Sequence, residues 1–398
     1  MNRKQFLILV LALLVLGGAG FAIFWQDLSD YRASGQKIGA KLLPNLKVAD
    51  VAELDVRDAK SHVMLQRKDN GWVVQERGNY PADFKAISDL IIKLIDLKVV
   101  QSESIGDSLM PRVELVEPAE GKKAGEGTGT QVAMKDASGK TLANLVLGKT
   151  ILKKDPGNPL PSAVDGVPAG RYVRVLDNNS VVVVSDPLAS ATAQPGRWID
   201  KSFAKVDRIK TLAATGSDGV QWKISRELEW SPWKFAGGTG ELDAGSAVAA
   251  VNALGNLSFS DVAVTAKPED EGTPVTLTAE TFDNLVYTIK LAKRKTGDEY
   301  LVNISVAGDP PAARPPEKDE KPADKERRDK EYAEQRKRLE FRVLREKAQS
   351  QWSYVADAKQ VAPLLKTREQ LLVQKKPAGE GGPPGGMPPG MPGMPFGR

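Results

Sequence analysis

Two stretches of this chain run through the same order of events, and that recurrence limits the fold more than any other feature. Residues 70–97, NGWVVQERGNYPADFKAISDLIIKLIDL, read as a strand carrying Trp72, a polar turn and an amphipathic helix. Residues 231–257, SPWKFAGGTGELDAGSAVAAVNALGNL, read the same way around Trp233. In the first stretch Ile87, Leu90, Ile91, Leu94 and Leu97 repeat at helical period, behind Asp83 as N-cap. In the second, Val248, Val251, Leu254 and Leu257 are the expected stripe. Trp72 and Trp233 lie 161 residues apart, as do Ile87 and Val248; Val51 and Val206 lie 155 apart. A period this long implies tandem domains and not a solenoid, whose repeats run roughly 20–50 residues.

The surrounding pattern extends both copies. VADVAELDVRD and HVMLQRKDNGWVV alternate apolar and polar residues on either side of a turn, with Asn70-Gly71 nearby, as paired antiparallel strands do. Further strands are expected at QVAMKD, TLANLVLG, GRYVRVL and SVVVVSD, then a short helix from Pro187 leading to GRWID. The second pass supplies FAKVDRIKTLAA with GVQWKISRELEWSPWKF, then PVTLTAE, NLVYTIKLAKR and EYLVNISV. The fold class predicted is α+β: two tandem repeated domains of mainly antiparallel sheet with packed helices, over 46–200 and 201–375.

The copies differ at one hairpin. Tyr172 to Asp186 spans 14 residues, whereas Tyr300 to the matching Asp357 spans 57, which places 43 extra residues at that tip, over 308–350. They comprise a proline-rich lead-in and a densely charged helix. Glu326–Lys330 and Glu334–Arg338 stand in the favourable i,i+4 orientation. With few apolar residues before Leu339 and Phe341, this helix has little to bury. It is expected to project into solvent, either as a solvated arm or as a partner-docking helix built from these six residues.

Ahead of the domains, residues 1–5 carry Arg3 and Lys4, and 6–25 form an apolar run long enough to cross a bilayer core. The basic flank holds the N-terminus in the cytoplasm. A cleaved signal peptide would have a shorter apolar run closed by a small-x-small site; here the run continues through FAIFW. The segment is read as a signal-anchor in a bacterial inner membrane, with a neck over 26–45 and the bulk of the chain periplasmic. At the other end, 376–398 is a Gly/Pro/Met tail of low complexity, expected to be disordered.

Composition narrows the chemistry. The chain has 398 residues, no cysteine and one histidine, His62, so disulfides, thiolate nucleophiles and cysteine zinc sites are excluded. The net charge of +5 is spread along the chain without a basic stripe, which argues against nucleic acid. His62 has no second His, no Cys and no evident carboxylate constellation, and reads as structural or exposed. Ser202-Phe203-Ala204-Lys205 with Lys295-Thr296-Gly297 imitates a penicillin-binding pair, but the intervening Ser-x-Asn element is missing and the second triplet falls at a hairpin turn. Trp72, Trp198 and Trp233 read as packing anchors. No catalytic constellation, cofactor site or metal site emerges, and the chain reads as non-enzymatic.

Gly71-Trp72, Ala82-Asp83 through Leu97, Leu147-Gly148-Lys149, Arg171-Tyr172-Val173-Arg174 and Arg197-Trp198-Ile199-Asp200 occur in an order that resembles the "domain of unknown function 4340" family. The resemblance covers roughly 46–308 and 351–372; the second copy lacks a counterpart of Leu-Gly-Lys and carries the charged arm. It implies a bacterial, single-span, extracytoplasmic protein. It also implies an accessory or scaffold role beside an ABC-transporter permease or gliding-motility-type auxiliary envelope proteins. The alternatives are an extracytoplasmic lipid- or glycan-binding module and, less favoured by the residues, an envelope hydrolase.

Overall fold

A computed structural model describes residues 38–119, 125–153, 167–316 and 320–373. The expected membrane span, the tail expected to be disordered and most of the neck lie outside them. Among the described residues no helix is long and apolar enough to cross a membrane.

The chain forms an α+β structure with two antiparallel sheets. The first contains β1 (Glu53–Arg57), β2 (His62–Lys68), β3 (Gly71–Val74), β4 (Tyr80–Pro81), β5 (Val99–Glu103), β6 (Thr130–Lys135), β7 (Thr141–Lys153), β8 (Val167–Val175) and β9 (Ser180–Val184). Its order is β4-β3-β2-β1-β6-β7-β8-β9-β5. The second contains β10 (Ile209–Gly216), β11 (Gly219–Ser225), β12 (Lys234–Phe235), β13 (Asp261–Ala263), β14 (Val275–Thr281), β15 (Val286–Lys293), β16 (Glu299–Ala307) and β17 (Ser353–Asp357). Its order is β12-β11-β10-β14-β15-β16-β17-β13. Apart from β4, the two orders correspond strand for strand.

Register explains which face is buried. Leu54 lies opposite Leu65 and Met134, and Val56 opposite Val63 and Val132. All six are fully buried, while the alternate residues Asp55, Arg57, His62 and Met64 are not. A one-residue slip would exchange the two sets, so the apolar alternation fixes the pairing. The second sheet repeats the device, with Leu212 opposite Ile224 and Ala279, and Ala279 opposite Tyr287.

Among the described residues five helices accompany the sheets: α1 (Phe84–Asp96), α2 (Ala244–Gly255), α3 (Pro268–Glu271), α4 (Pro322–Gln349) and α5 (Ala358–Val361). The two that follow β4 and β12 begin alike. The Asp83 carboxylate accepts from the Ala86 N–H at 3.0 Å, and that of Asp243 from the Ser246 N–H at 2.7 Å. The Asp83 N–H donates to the Trp198 carbonyl and the Asp243 N–H to that of Leu371. In α1 the buried residues are Ile87, Leu90, Ile91 and Leu94, as the spacing predicts. In α2 they are Ala247, Ala250 and Leu254, and Val248 is exposed. The expected stripe was therefore one residue out of phase at its start. The turn before α2 is one residue shorter than the turn before α1, so the helix offset is 160, and the apolar face there is built of alanines. The short helix expected from Pro187 is also absent. Residues 185–194 are irregular, followed by a 3₁₀ turn at Pro195–Arg197.

The described chain divides into two compact units. Unit 1 comprises residues up to Phe203 with Ser258–Ala266 and Trp352–Val355; unit 2 comprises Ala204–Leu257, Lys267–Gln351 and the residues from Ala356. Within unit 1, Tyr80, Phe203, Phe259, Trp352 and Tyr354 form an aromatic cluster with ring centroids 4.7–6.2 Å apart.

Candidate functional site

Helix α4 in unit 2 is where the two sheet plans diverge, and its sequence makes a helix for local reasons. Pro322 occupies the first turn, where its missing N–H costs nothing. Beyond it, opposite charges are spaced to meet: Glu326–Lys330 at 3.0 Å, Arg327–Glu331 at 3.4 Å, Glu334–Arg338 at 3.6 Å and Arg336–Glu340 at 2.9 Å. Exposed pairs of this kind contribute about 0.3–0.5 kcal/mol each, a modest local preference for helix in a segment with few apolar contacts.

The arm does not stand free in solvent. Its C-terminal half runs beside β16 and buries Val343, Glu346 and Gln349, with Leu339 partly buried. Glu346 is 3% exposed. One of its carboxylate oxygens accepts from the Tyr287 hydroxyl at 2.7 Å and the other from the Lys205 N–H at 3.2 Å. Arg342 adds a contact to Glu346 at 3.6 Å and one to Asp207 at 3.3 Å. Burial first, and then the bond to Glu346, raise the Tyr287 hydroxyl well above the ordinary tyrosine range. The lead-in is tied to the same helix: Tyr332 donates to the Pro311 carbonyl at 2.9 Å, and Arg314 pairs with Glu320 at 2.6 Å and Asp329 at 2.8 Å. The expectation of a projecting arm with little to bury is thus corrected. Its anchors are two polar residues and one valine, which hydropathy does not mark.

The residues singled out from the sequence fall on both sides of this helix. Glu326, Lys330, Glu334, Arg338 and Phe341 are exposed, and Leu339 turns partly inward. Phe341 is 78% exposed and Leu344, three residues on and on the same side, 67%. Among the described residues, Lys337 and Arg345 beside them make no ion pair. The outer surface therefore changes along its length, from paired charges to an apolar spot with a basic rim.

The tryptophans separate. Trp72 lies opposite Arg67 on β3 and is buried. Trp198 is also buried, its indole N–H donating to the Thr192 carbonyl at 2.8 Å. Trp233 is partly exposed, with the Arg226 guanidinium 4.7 Å from its ring. Ser202 and Lys205 lie in coil and not on one helical turn, and Lys295-Thr296-Gly297 falls in the β15–β16 turn.

Two groupings escaped the sequence reading. The β1–β2 pairing brings His62 Nε2 within 3.0 Å of Asp55, and Glu76 lies 3.5 Å from Nδ1, so the histidine does have carboxylates around it. Among the described residues, no group of three or more such ligands could hold a metal ion. Arg171 is the second. It donates to the Gly148 carbonyl at 2.7 Å and reaches those of Leu147, Pro187 and Leu188 at 3.3–3.4 Å. Burial lowers its pKa. A Cβ at Gly148 would lie 2.3 Å from the Val113 carbonyl, so glycine is needed for this approach. Compared with protein-family models, with curated proteins and with solved structures, the chain matches none.

Proposed function

We propose that this is a non-enzymatic, membrane-tethered extracytoplasmic protein, an accessory or scaffold subunit of an ABC-type transport or gliding-motility-like envelope complex. It is built of two copies of one α+β design, anchored by residues 6–25. The second copy docks a partner through the arm. The observation that carries this reading is the paired strand order. Read from β3 and from β12, the sheets meet their strands in the same sequence, except that the tight β8–β9 turn is replaced by a lead-in and 28-residue helix before β17. An elaboration confined to one hairpin, with Phe341 and Leu344 held outward on an anchored helix, suits recognition better than core stability. The resemblance supports the partner class, a permease or auxiliary envelope protein.

The test is photo-crosslinking in intact membranes from a benzoylphenylalanine placed at position 341, with position 326 as comparison, followed by identification of the adducts. A discrete adduct with a permease or an envelope protein, stronger from 341, is expected. Recovery of the uncrosslinked protein alone from both positions would sink the docking role.

A further inference from the structure

Unit 1 contains a cleft of about 680 Å³ between α1 and the irregular stretch after β9, within the size range of small-molecule sites. Its apolar surface is given chiefly by Ile92, which is 46% exposed and is not one of the four buried residues of the helix, with Ala86 and Ala189 beside it. Trp198 is 1% exposed and lies beneath the cleft, its N–H committed to the Thr192 carbonyl. Ser190 and Thr192 add hydroxyls. The Thr192 oxygen accepts from the Gln194 N–H at 3.3 Å, which leaves its O–H free to donate.

The charges around this cleft do not balance. Among the described residues, nothing forms a hydrogen bond or ion pair with the Arg197 guanidinium, which lines the cleft. Lys93, also lining it, has its nearest carboxylate, Asp186, at 3.9 Å. The one acid in the lining, Asp89, is already paired with Lys85 at 2.6 Å. Beside Arg197 stands Lys201, whose ammonium meets the Ser260 carbonyl and lies 5.1 Å from the Phe259 ring centroid. Burial lowers the Lys201 pKa, and Arg197 and Arg77 push it the same way. Asp261 opposes that shift, but both of its oxygens are taken by Arg77 at 2.6 Å.

We propose that the cleft binds an organic anion, its carboxylate or phosphate group held by Arg197 and its apolar body lying against Ile92, Ala86 and Ala189. A guanidinium fork suits either head group, because two parallel N–H donors match two oxygens. The hydroxyls of Ser190 and Thr192 supply the remaining donors. This site is separate from the arm and does not depend on docking there.

The experiment is saturation-transfer NMR on the full chain in a non-ionic detergent, with benzoate, phenyl phosphate and the neutral benzamide as probes. Both anions are expected to bind saturably and benzamide not to. Arg197→Gln should weaken the anions about 10-fold or more, the scale of a lost charged hydrogen bond, and Arg197→Lys should weaken them less. The exposed Arg112→Gln should leave binding as it was. Tighter binding of benzoate assigns the head group as carboxylate; tighter binding of phenyl phosphate assigns it as phosphate. Should Arg197→Gln fail to fold, Ile92→Trp, which fills the cleft from an exposed position, must abolish binding of both anions. Equal binding of benzamide, undiminished binding after these substitutions, or no saturable binding of either anion overturns the proposal.

Discussion

Among single residues, Glu346 and Tyr287 have the most to lose. Each is buried, and each satisfies the other. Tyr287→Phe leaves a buried carboxylate short of one donor and should destabilise unit 2 by about 1–3 kcal/mol, measured by denaturant unfolding. Tyr80 carries a pH-dependent counterpart in unit 1. Burial, more than any other cause, pushes its hydroxyl up to about 12, and burial raises Tyr354 further still. A folded-state pKa above the unfolded value of roughly 10 means that the folded chain holds the proton more tightly. This stabilisation is complete below about pH 10 and is lost as the pH climbs toward 12. Absorbance at the phenolate band should therefore show tyrosines ionising late, and Tyr80→Phe should remove one group near pH 12. None of these partners was legible in the sequence. Glu346 looks like one more charge in a charged run, and only the docking of the helix beside β16 separates it from Glu334 or Glu340.

At the scale of elements, the helix caps and the arm make different demands. Asp83→Ala and Asp243→Ala each remove a cap and should cost about 1 kcal/mol apiece in thermal unfolding. On α4, Val343→Ala should cost about 2 kcal/mol, because it deletes buried methyls. The pair Glu326→Gln and Lys330→Gln should shift stability by no more than about 0.5 kcal/mol. If the two sets cost the same, the inward and outward faces have been misassigned. Strand pairs such as β1–β2 could be read from the sequence, because Leu54, Val56, Val63 and Leu65 alternate with polar residues and only one register buries them all. The face of α2 could not, since alanines give a weak apolar signal and Val248 is the bulkier residue on the wrong side. The coil after β9 escaped for another reason: its path is set by Arg171 reaching the carbonyls of Pro187 and Leu188, a contact between residues distant in sequence. The anion cleft, whose far wall is that coil, was hidden with it.

Taken whole, the chain offers a clean topological assay because it has no cysteine. A single cysteine at exposed Lys337 should react with a membrane-impermeant maleimide added outside the inner membrane, while one at Asn2 should react only after lysis. The reverse pattern would contradict the proposed orientation. Two compact units also predict unfolding that departs from a single two-state transition, with Leu54→Ala and Leu212→Ala lowering different parts of a calorimetric trace. The membership of unit 1 has a consequence for how the molecule comes into being. Ser258–Ala266 and Trp352–Val355 belong to it, and Trp352 and Tyr354 close over Tyr80. The unit that leaves the ribosome first is therefore the one that must wait. Its aromatic cluster stays incomplete until almost the whole described chain has been synthesised, so the order of emergence is not the order of completion. A nascent chain stalled before residue 352 would hold a first unit with uncovered rings.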